Sequence, residues 1–296
     1  MKKYKIKREN IDFTFVQDER IFRGTRKKIF ALDNKNNMAM FKYEKENYNW
    51  SEACSEKMAY EIAKILNYKC AKIELAYDDE KNLGVLNYYF TKDNSLHNDF
   101  VAYLNNNQKD RNCFYTIKNI KYILDNLDKK LFKDFIKIMV FDALIGEQDR
   151  HEENWGITET NGKYSISPLY DNGASLLKEF QNDNTFKKYY NHIKDFDKYI
   201  KRSGTYIYKE NSNEKYKHFE LIEYLLCNYP FYVLPELKKL KKLSDVIIKN
   251  IVKKIPDELL TEKHKEYIID YVIKRRNILL EMSNIGCDNI WIMNYG

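Results

Sequence analysis

Two stretches, Asp149-Arg150-His151-Glu152-Glu153-Asn154 and Pro168-Leu169-Tyr170-Asp171-Asn172-Gly173, decide how this chain folds and what it can do. The first sets a carboxylate and an amide five residues apart in a segment with loop character. The second adds a carboxylate just before a turn. Between them lie two short β-prone runs, Trp155-Gly156-Ile157-Thr158 and Tyr164-Ser165-Ile166, joined at Asn161-Gly162. An Asn-Gly pair between such runs reverses the chain tightly, so a hairpin is expected to bring Asn154 and Asp171 together at one end. One carboxylate to orient a hydroxyl, with an amide and a second carboxylate to hold magnesium, is the set of groups that phosphoryl transfer from ATP requires.

Immediately upstream, Leu131 to Gly146 reads as a helix, with Phe132, Phe135, Ile136, Met139, Val140 and Ala143 at helical spacing. It should run straight into the Asp149 loop. Further upstream the character changes. Ile11 to Phe15, Ile29 to Leu32, Met38 to Tyr43, Ala71 to Ala76 and Val85 to Phe90 read as strands. A helix capped by Ser51 and running to Leu66 interrupts them. Thr91 to Asn112 is polar and reads as a connector with a short helix. Lys178 to His218 shows little apolar periodicity and reads as a long functional loop. Phe219 to Met282 reads as amphipathic helices broken at Pro230, Pro235 and Pro256. The expectation is an α+β chain with two lobes, a β-rich one over residues 1–92 and a helical one over 93–296, holding a nucleotide between them.

Within this frame each candidate residue has a chemical role and a plainer alternative. Asp149 would orient an acceptor hydroxyl and take its proton. Asn154 and Asp171 would ligate the metal. His151 is a candidate for proton transfer, though packing beneath the loop or hydrogen-bonding Asp149 is the better reading. Arg150 could steady a phosphate or pair with a nearby acid. Lys42 stands inside the apolar strand Met40-Phe41-Lys42-Tyr43, where an unpaired ammonium would be costly. Contact with phosphates and with a helix glutamate would account for it. Glu56 is the expected partner, with Glu52 and Glu61 as alternatives. Arg23-Gly24-Thr25-Arg26-Lys27-Lys28 is the candidate phosphate loop, its single glycine allowing close backbone approach; a plain basic turn is the competing reading. Lysines 238, 239, 241, 242, 249, 253 and 254 interleave with Leu237, Leu240, Val246, Ile247 and Ile251, which reads as a solvated helix face over a core stripe.

Composition bounds the rest. The chain has 296 residues and a formal charge of +7, with 51 basic residues against 44 acidic. That mild excess permits an anionic ligand such as ATP and does not call for nucleic acid. No stretch approaches the ~18–20 apolar residues of a membrane span. The basic start, Met1 to Lys7, leads into no apolar signal core, so a cytoplasmic protein is expected. Cys54, Cys70, Cys113, Cys227 and Cys287 are odd in number and form no Cys-x-x-Cys pair, which disfavours zinc and disulfides.

Leu144 to Gly156 and Ser167 to Ser175 resemble the HipA-like protein kinases of bacteria, in particular their compact single-module members. The shared pattern is a helix ending in Ile-Gly, then Asp-Arg-His-x-x-Asn, a hairpin, and Ser-Pro-x-Tyr-Asp. Gly24 to Lys28, Lys42, and Glu56 followed by Ala63 match in order, and Lys263-His264-Lys265 with Arg275-Arg276 resembles the closing helices. The resemblance implies a two-lobed protein-kinase-like fold and transfer of the γ-phosphoryl of ATP–Mg²⁺ to a protein serine or threonine. It implies Asp149 as catalytic base, Asn154 and Asp171 as Mg²⁺ ligands, and Lys42 as the phosphate lysine paired with Glu56. It further implies Asn87, Tyr88, Tyr89 and Phe90 as the adenine hinge, and Gly24, Thr25, Arg26 and Lys28 as phosphate-loop residues, with Thr25 an autophosphorylation hydroxyl. A protein substrate and an antitoxin-like partner are expected, and direct nucleic-acid contact is not.

Overall fold

The computed structural model describes residues 1–16, 27–44, 52–91, 94–104, 114–178 and 193–284. Strand β4 (Met38–Tyr43) shows how its pattern becomes structure. Ala39 and Phe41 are buried on one face of a sheet, among Phe13, Ala31, Leu86 and Tyr88. The two-residue pleat turns Lys42 to the other face. There helix α1 (Glu52–Leu66) packs Met58, Ala59 and Ile62 with Ile73, Leu75 and Val85 of the sheet.

The curled six-stranded sheet has the order β1-β5-β6-β4-β3-β2. Its other strands are β1 (Lys7–Arg8), β2 (Phe13–Val16), β3 (Lys28–Asp33), β5 (Ile73–Tyr77) and β6 (Leu83–Tyr88). The β1–β5 pair is parallel and the rest are antiparallel. Lys42 stands opposite Lys28 on one side and Val85 on the other. The expected strands are present, some displaced by about two residues. Ile11 is in a turn and 63 % exposed, so it does not open β2. Helix α1 opens on a carboxylate: Glu44 accepts the Glu52 and Ala53 N–H groups at 3.1 and 2.9 Å. The expected cap, Ser51, lies outside the described residues.

The second lobe is built on α2 (Ile117–Leu127) and α3 (Lys130–Ile145), followed by the hairpin of β8 (Gly156–Thr160) and β9 (Lys163–Ile166). Asn161 and Gly162 both take positive φ at its turn, 50° and 73°, as the Asn-Gly signal requires. The segment after Thr91, read as a connector, contributes a strand instead. Strand β7 (Ser95–Asp99) pairs antiparallel with β8, and a 3₁₀ turn at Phe100–Tyr103 follows. Its polar composition conceals it, because it is an edge strand with Leu96 60 % exposed.

The stretch expected to be a long loop is also structured where described. It holds α4 (Ile193–Arg202) and a hairpin of β10 (Gly204–Tyr208) and β11 (Lys215–Lys217). Phe196, Tyr199 and Ile200, at helical spacing within α4, and Ile207 of β10 anchor it in the core. Helices α5 (His218–Asn228), α6 (Pro230–Lys239), α7 (Asp245–Lys253) and α8 (Glu262–Met282) complete the lobe. Pro230 opens α6, but Pro235 lies inside it rather than breaking it. Pro235 has no N–H to offer the Phe231 carbonyl, and Phe231 is 89 % exposed, so water can satisfy that carbonyl. The lysines of this region are mostly exposed over buried Leu237, Leu240 and Ile251, although Val246 faces solvent.

The lobes share one hydrophobic core. Met58 and Ile62 of α1 belong to the same buried cluster as Phe135, Leu225 and Val272 of the helical lobe. Backbone bonds from Ala71 N to Leu169 O (2.8 Å) and from Leu169 N to Lys69 O (2.9 Å) stitch the segment leading into β5 to the chain before Asp171. Among the described residues no helix is long and apolar enough to cross a membrane.

Candidate active site

Helix α3 is buried along nearly its whole length, and it ends at Gly146 in the left-handed conformation (φ 68°). Glycine is required there twice over. A side chain would be strained at that φ, and a Cβ would lie 2.0 Å from Tyr271 Oη. Past this cap the chain turns back over α3 and is held by Arg150. The Arg150 guanidinium reaches Asp142 at 3.0–3.3 Å and donates to Asn154 O (2.8 Å), Tyr170 O (2.7 Å) and Asn172 Oδ1 (2.6 Å). Of the two roles open to Arg150, the structure shows the buried ion pair. Burial works against its charge, but Asp142 and Glu147 outweigh that and keep it cationic. Arg150 thereby joins the Asn154 and Asp171 segments, as the hairpin reading requires.

Asp149 is half-buried, and among the described residues its carboxylate makes no hydrogen bond. Its backbone is fixed on both sides. Asp149 N–H donates to Glu147 Oε1 at 2.8 Å, and Asn154 Nδ2 donates to Asp149 O at 2.6 Å. With its amide nitrogen so engaged, Asn154 has its Oδ1 left to serve as a ligand. Asp171 holds a positive φ of 52°, a conformation non-glycine residues adopt rarely and often at functional sites. Lys42 Nζ meets Glu56 Oε1 at 2.7 Å and Asp171 Oδ1 at 2.5 Å. The alternative partners are committed elsewhere: Glu52 to Lys178 (2.6 Å), Glu61 to Lys57 (2.9 Å) and Lys64 (3.0 Å). One ammonium thus links the sheet, α1 and the Asp171 turn.

The remaining candidates are placed as follows. His151 Nδ1 accepts the Glu153 N–H at 3.2 Å and its ring packs edge-on to Tyr206. Among the described residues its side chain makes no hydrogen bond to the Asp149 carboxylate, which puts it with the loop's packing. Glu152 is buried, so of the two loop glutamates Glu153 is the one that offers the solvent a carboxylate. In the hinge, Asn87 and Tyr88 are still within β6. Tyr88 N–H and Tyr89 N–H are taken by Lys72 O (3.0 Å) and Met38 O (3.1 Å). The backbone beyond Tyr89 is therefore the part that leaves the sheet ladder, and Phe90 stacks there on Tyr170. Gly24, Thr25 and Arg26 lie outside the described residues. Lys28 is not in a loop but opens β3, directly opposite Lys42 and so on the same face of the sheet.

Several participants carry no signal as isolated letters. Asp142 anchors Arg150, and its position inside a helix hides it. Tyr170 donates to Asp99 Oδ1 at 2.7 Å, and burial and that carboxylate both raise its pKa. Glu147 is fully buried, and burial pushes its carboxyl up to about 8 against the pull of Arg150.

The donor set suits magnesium. Mg²⁺ is commonly held by one or two protein oxygens, with phosphates and waters completing its shell. Asn154 and Asp171 supply one neutral and one anionic oxygen on segments that Arg150 ties together. Among the described residues no cluster of three or more acidic, His or Cys side chains offers a cage of its own, in keeping with a site completed by a nucleotide.

Comparison with known proteins identifies the fold and the family. The chain is 24 % identical over 294 residues to the serine/threonine-protein kinase CtkA of Helicobacter pylori, covering 93 % of this chain and 87 % of that one. The crystal structure of that proinflammatory kinase superposes with a TM-score of 0.75 at 22 % identity, over 89 % of this chain and 95 % of the other. The HipA of Shewanella oneidensis MR-1, solved with HipB and operator DNA, superposes with a TM-score of 0.52 at 12 % identity, over 91 % of this chain and 66 % of the other. The fold is thus the two-lobed, kinase-like α+β fold. Residues 22–227, most of the chain, match the family described as the HipA-like C-terminal domain, and the chain belongs to that family.

Proposed function

We infer that this protein is a HipA-like serine/threonine protein kinase, using ATP with magnesium. The observation that carries the reading is the convergence of Lys42, Glu56 and Asp171 at one point, with Asp149 and Asn154 joined in the adjoining loop. Lys42, oriented by Glu56, neutralises phosphate charge. Asp149 orients the acceptor hydroxyl and takes its proton as the phosphoryl group departs. Asn154 and Asp171 would hold the metal, which supplies charge stabilisation to the phosphates. The backbone beyond Tyr89 meets adenine, with Phe90 and Tyr170 beside it. Most of the work is positioning and electrostatics, since phosphoryl transfer asks for little covalent chemistry from the protein.

The acceptor is a serine or threonine hydroxyl of a protein. Thr25, in the basic segment that precedes β3, is the proposed site of autophosphorylation, and a regulatory protein of antitoxin type is the proposed partner. The test is transfer of labelled γ-phosphate from ATP–Mg²⁺ to the protein itself and to model proteins, followed by phosphoamino-acid analysis. Label on serine or threonine supports the reading. ATP bound without label on any protein acceptor would overturn it.

A further inference from the structure

Below the catalytic loop lies a buried polar chain that the reaction, as so far described, does not use. It begins at Arg275 of α8, which is fully buried and donates to Ser203 Oγ at 2.6 Å. Ser203 Oγ lies 3.0 Å from His218 Nδ1. Ser203 Oγ, which accepts from Arg275, can either donate to Nδ1 or accept from it, so it holds the ring in either neutral tautomer. Burial and the Arg275 charge both lower the His218 pKa, in keeping with a neutral ring. Nε2 and Glu147 Oε2 make no hydrogen bond of good geometry among the described residues, and the Glu147 backbone acts on the imidazole as well. His218 and Glu147 line the same small cavity of about 10 Å³, with Met139, Asp142, Arg150, Thr205 and Ile207 around them. That is about the least space one water needs, with the polar groups of Glu147, His218 and Thr205 set in a lining that is otherwise largely apolar. At the far end, Glu147 Oε1 accepts the Asp149 N–H.

We propose that Glu147 is a positioning residue for the catalytic loop, fixing Asp149 through its backbone and steadied across this cavity by His218. The segment that supplies Ser203 and His218 then has a role: it buttresses the loop from beneath. The proposal rests on Asp149 being the catalytic base. A carboxyl or carboxamide oxygen at position 147 can hold the Asp149 N–H, and an apolar side chain of similar volume cannot.

The test compares Glu147→Gln with Glu147→Leu, reading kcat and KM for ATP, together with amide hydrogen exchange at Asp149 in the nucleotide-free protein. Glu147→Leu should lower kcat by about tenfold or more, the scale of a loop displaced from its reacting geometry. KM for ATP should stay within about twofold, and exchange at Asp149 should accelerate. Glu147→Gln should recover most of both losses. Equal kcat and equal Asp149 exchange in the two variants would overturn the proposal. If Glu147→Leu does not fold, His218→Phe takes its place: faster Asp149 exchange with lower kcat supports the proposal, and neither change overturns it. Asp149→Asn is assayed alongside. If it retains transfer, the assignment of the base is what fails, and Asp149 exchange still decides whether Glu147 positions the loop.

Discussion

At the residue scale, Lys42 and Asp149 are both expected to be essential and should fail differently when replaced. Lys42 is 5 % exposed and holds two carboxylates, Glu56 and Asp171, from different parts of the chain. Lys42→Met leaves both without that cation, and breaking a buried pair costs about 3–5 kcal/mol. That variant should lose activity by roughly 10²-fold or more and should also melt well below wild type. Asp149 has no such structural burden, because among the described residues its carboxylate bonds to nothing. Asp149→Asn should melt close to wild type, which circular dichroism checks. Glu147 supplies a pH dependence whose sign can be worked out. Its carboxyl is raised from 4.5 to about 8, chiefly by burial. The folded protein therefore holds a proton that the unfolded chain has lost, and stability falls as pH rises from about 4.5 through about 8. Glu147→Gln removes that loss. Its melting temperature relative to wild type should climb across this window, and a flat difference would contradict the assignment.

At the element scale, the junction of α3 with the catalytic loop carries the most stringent geometry. Gly146→Ala places a Cβ at positive φ and 2.0 Å from Tyr271 Oη, so it should destabilise by about 2 kcal/mol or more. Urea unfolding measures it. Asp142→Asn removes the anion facing Arg150 and should cost about 3 kcal/mol or more, with activity falling as the Asn154 and Asp171 segments lose their common anchor. This junction also marks where the sequence is legible. Strand β4, helix α3 and the Asn161-Gly162 turn follow from local pattern, because periodicity and turn chemistry act over a few residues. Strand β7 does not, since an edge strand can be polar and its partner β8 lies some 60 residues away. Helix α4 was legible in part, since Phe196, Tyr199 and Ile200 stand at helical spacing, but the polar residues around them mask it. The candidate site was legible as a set of residues, but not as a supported structure. Arg150 could be assigned only once Asp142, eight residues back on a helix, was seen to face it, and nothing in the letters connects Glu147 with His218.

At the scale of the whole molecule, the proposed nucleotide site lies where two lobes meet, yet those lobes share one core from α1 to α8. Thermal unfolding should accordingly show a single transition followed by both the sheet and the helices; two resolved transitions would contradict a shared core. A nucleotide that bridges Lys42 and the Asp171 turn should raise that transition in the presence of Mg²⁺, by about 2.7 kcal/mol at a hundredfold excess over Kd. Asp171→Asn should weaken the metal-dependent part of that shift. The measurement that tests the central claim most directly pairs ATP–Mg²⁺ binding with γ-phosphoryl transfer in wild type and Asp149→Asn. The account predicts that the variant binds nucleotide within a few-fold of wild type while transfer falls by roughly 10³-fold or more. Transfer that survives the substitution at near wild-type rate would contradict it.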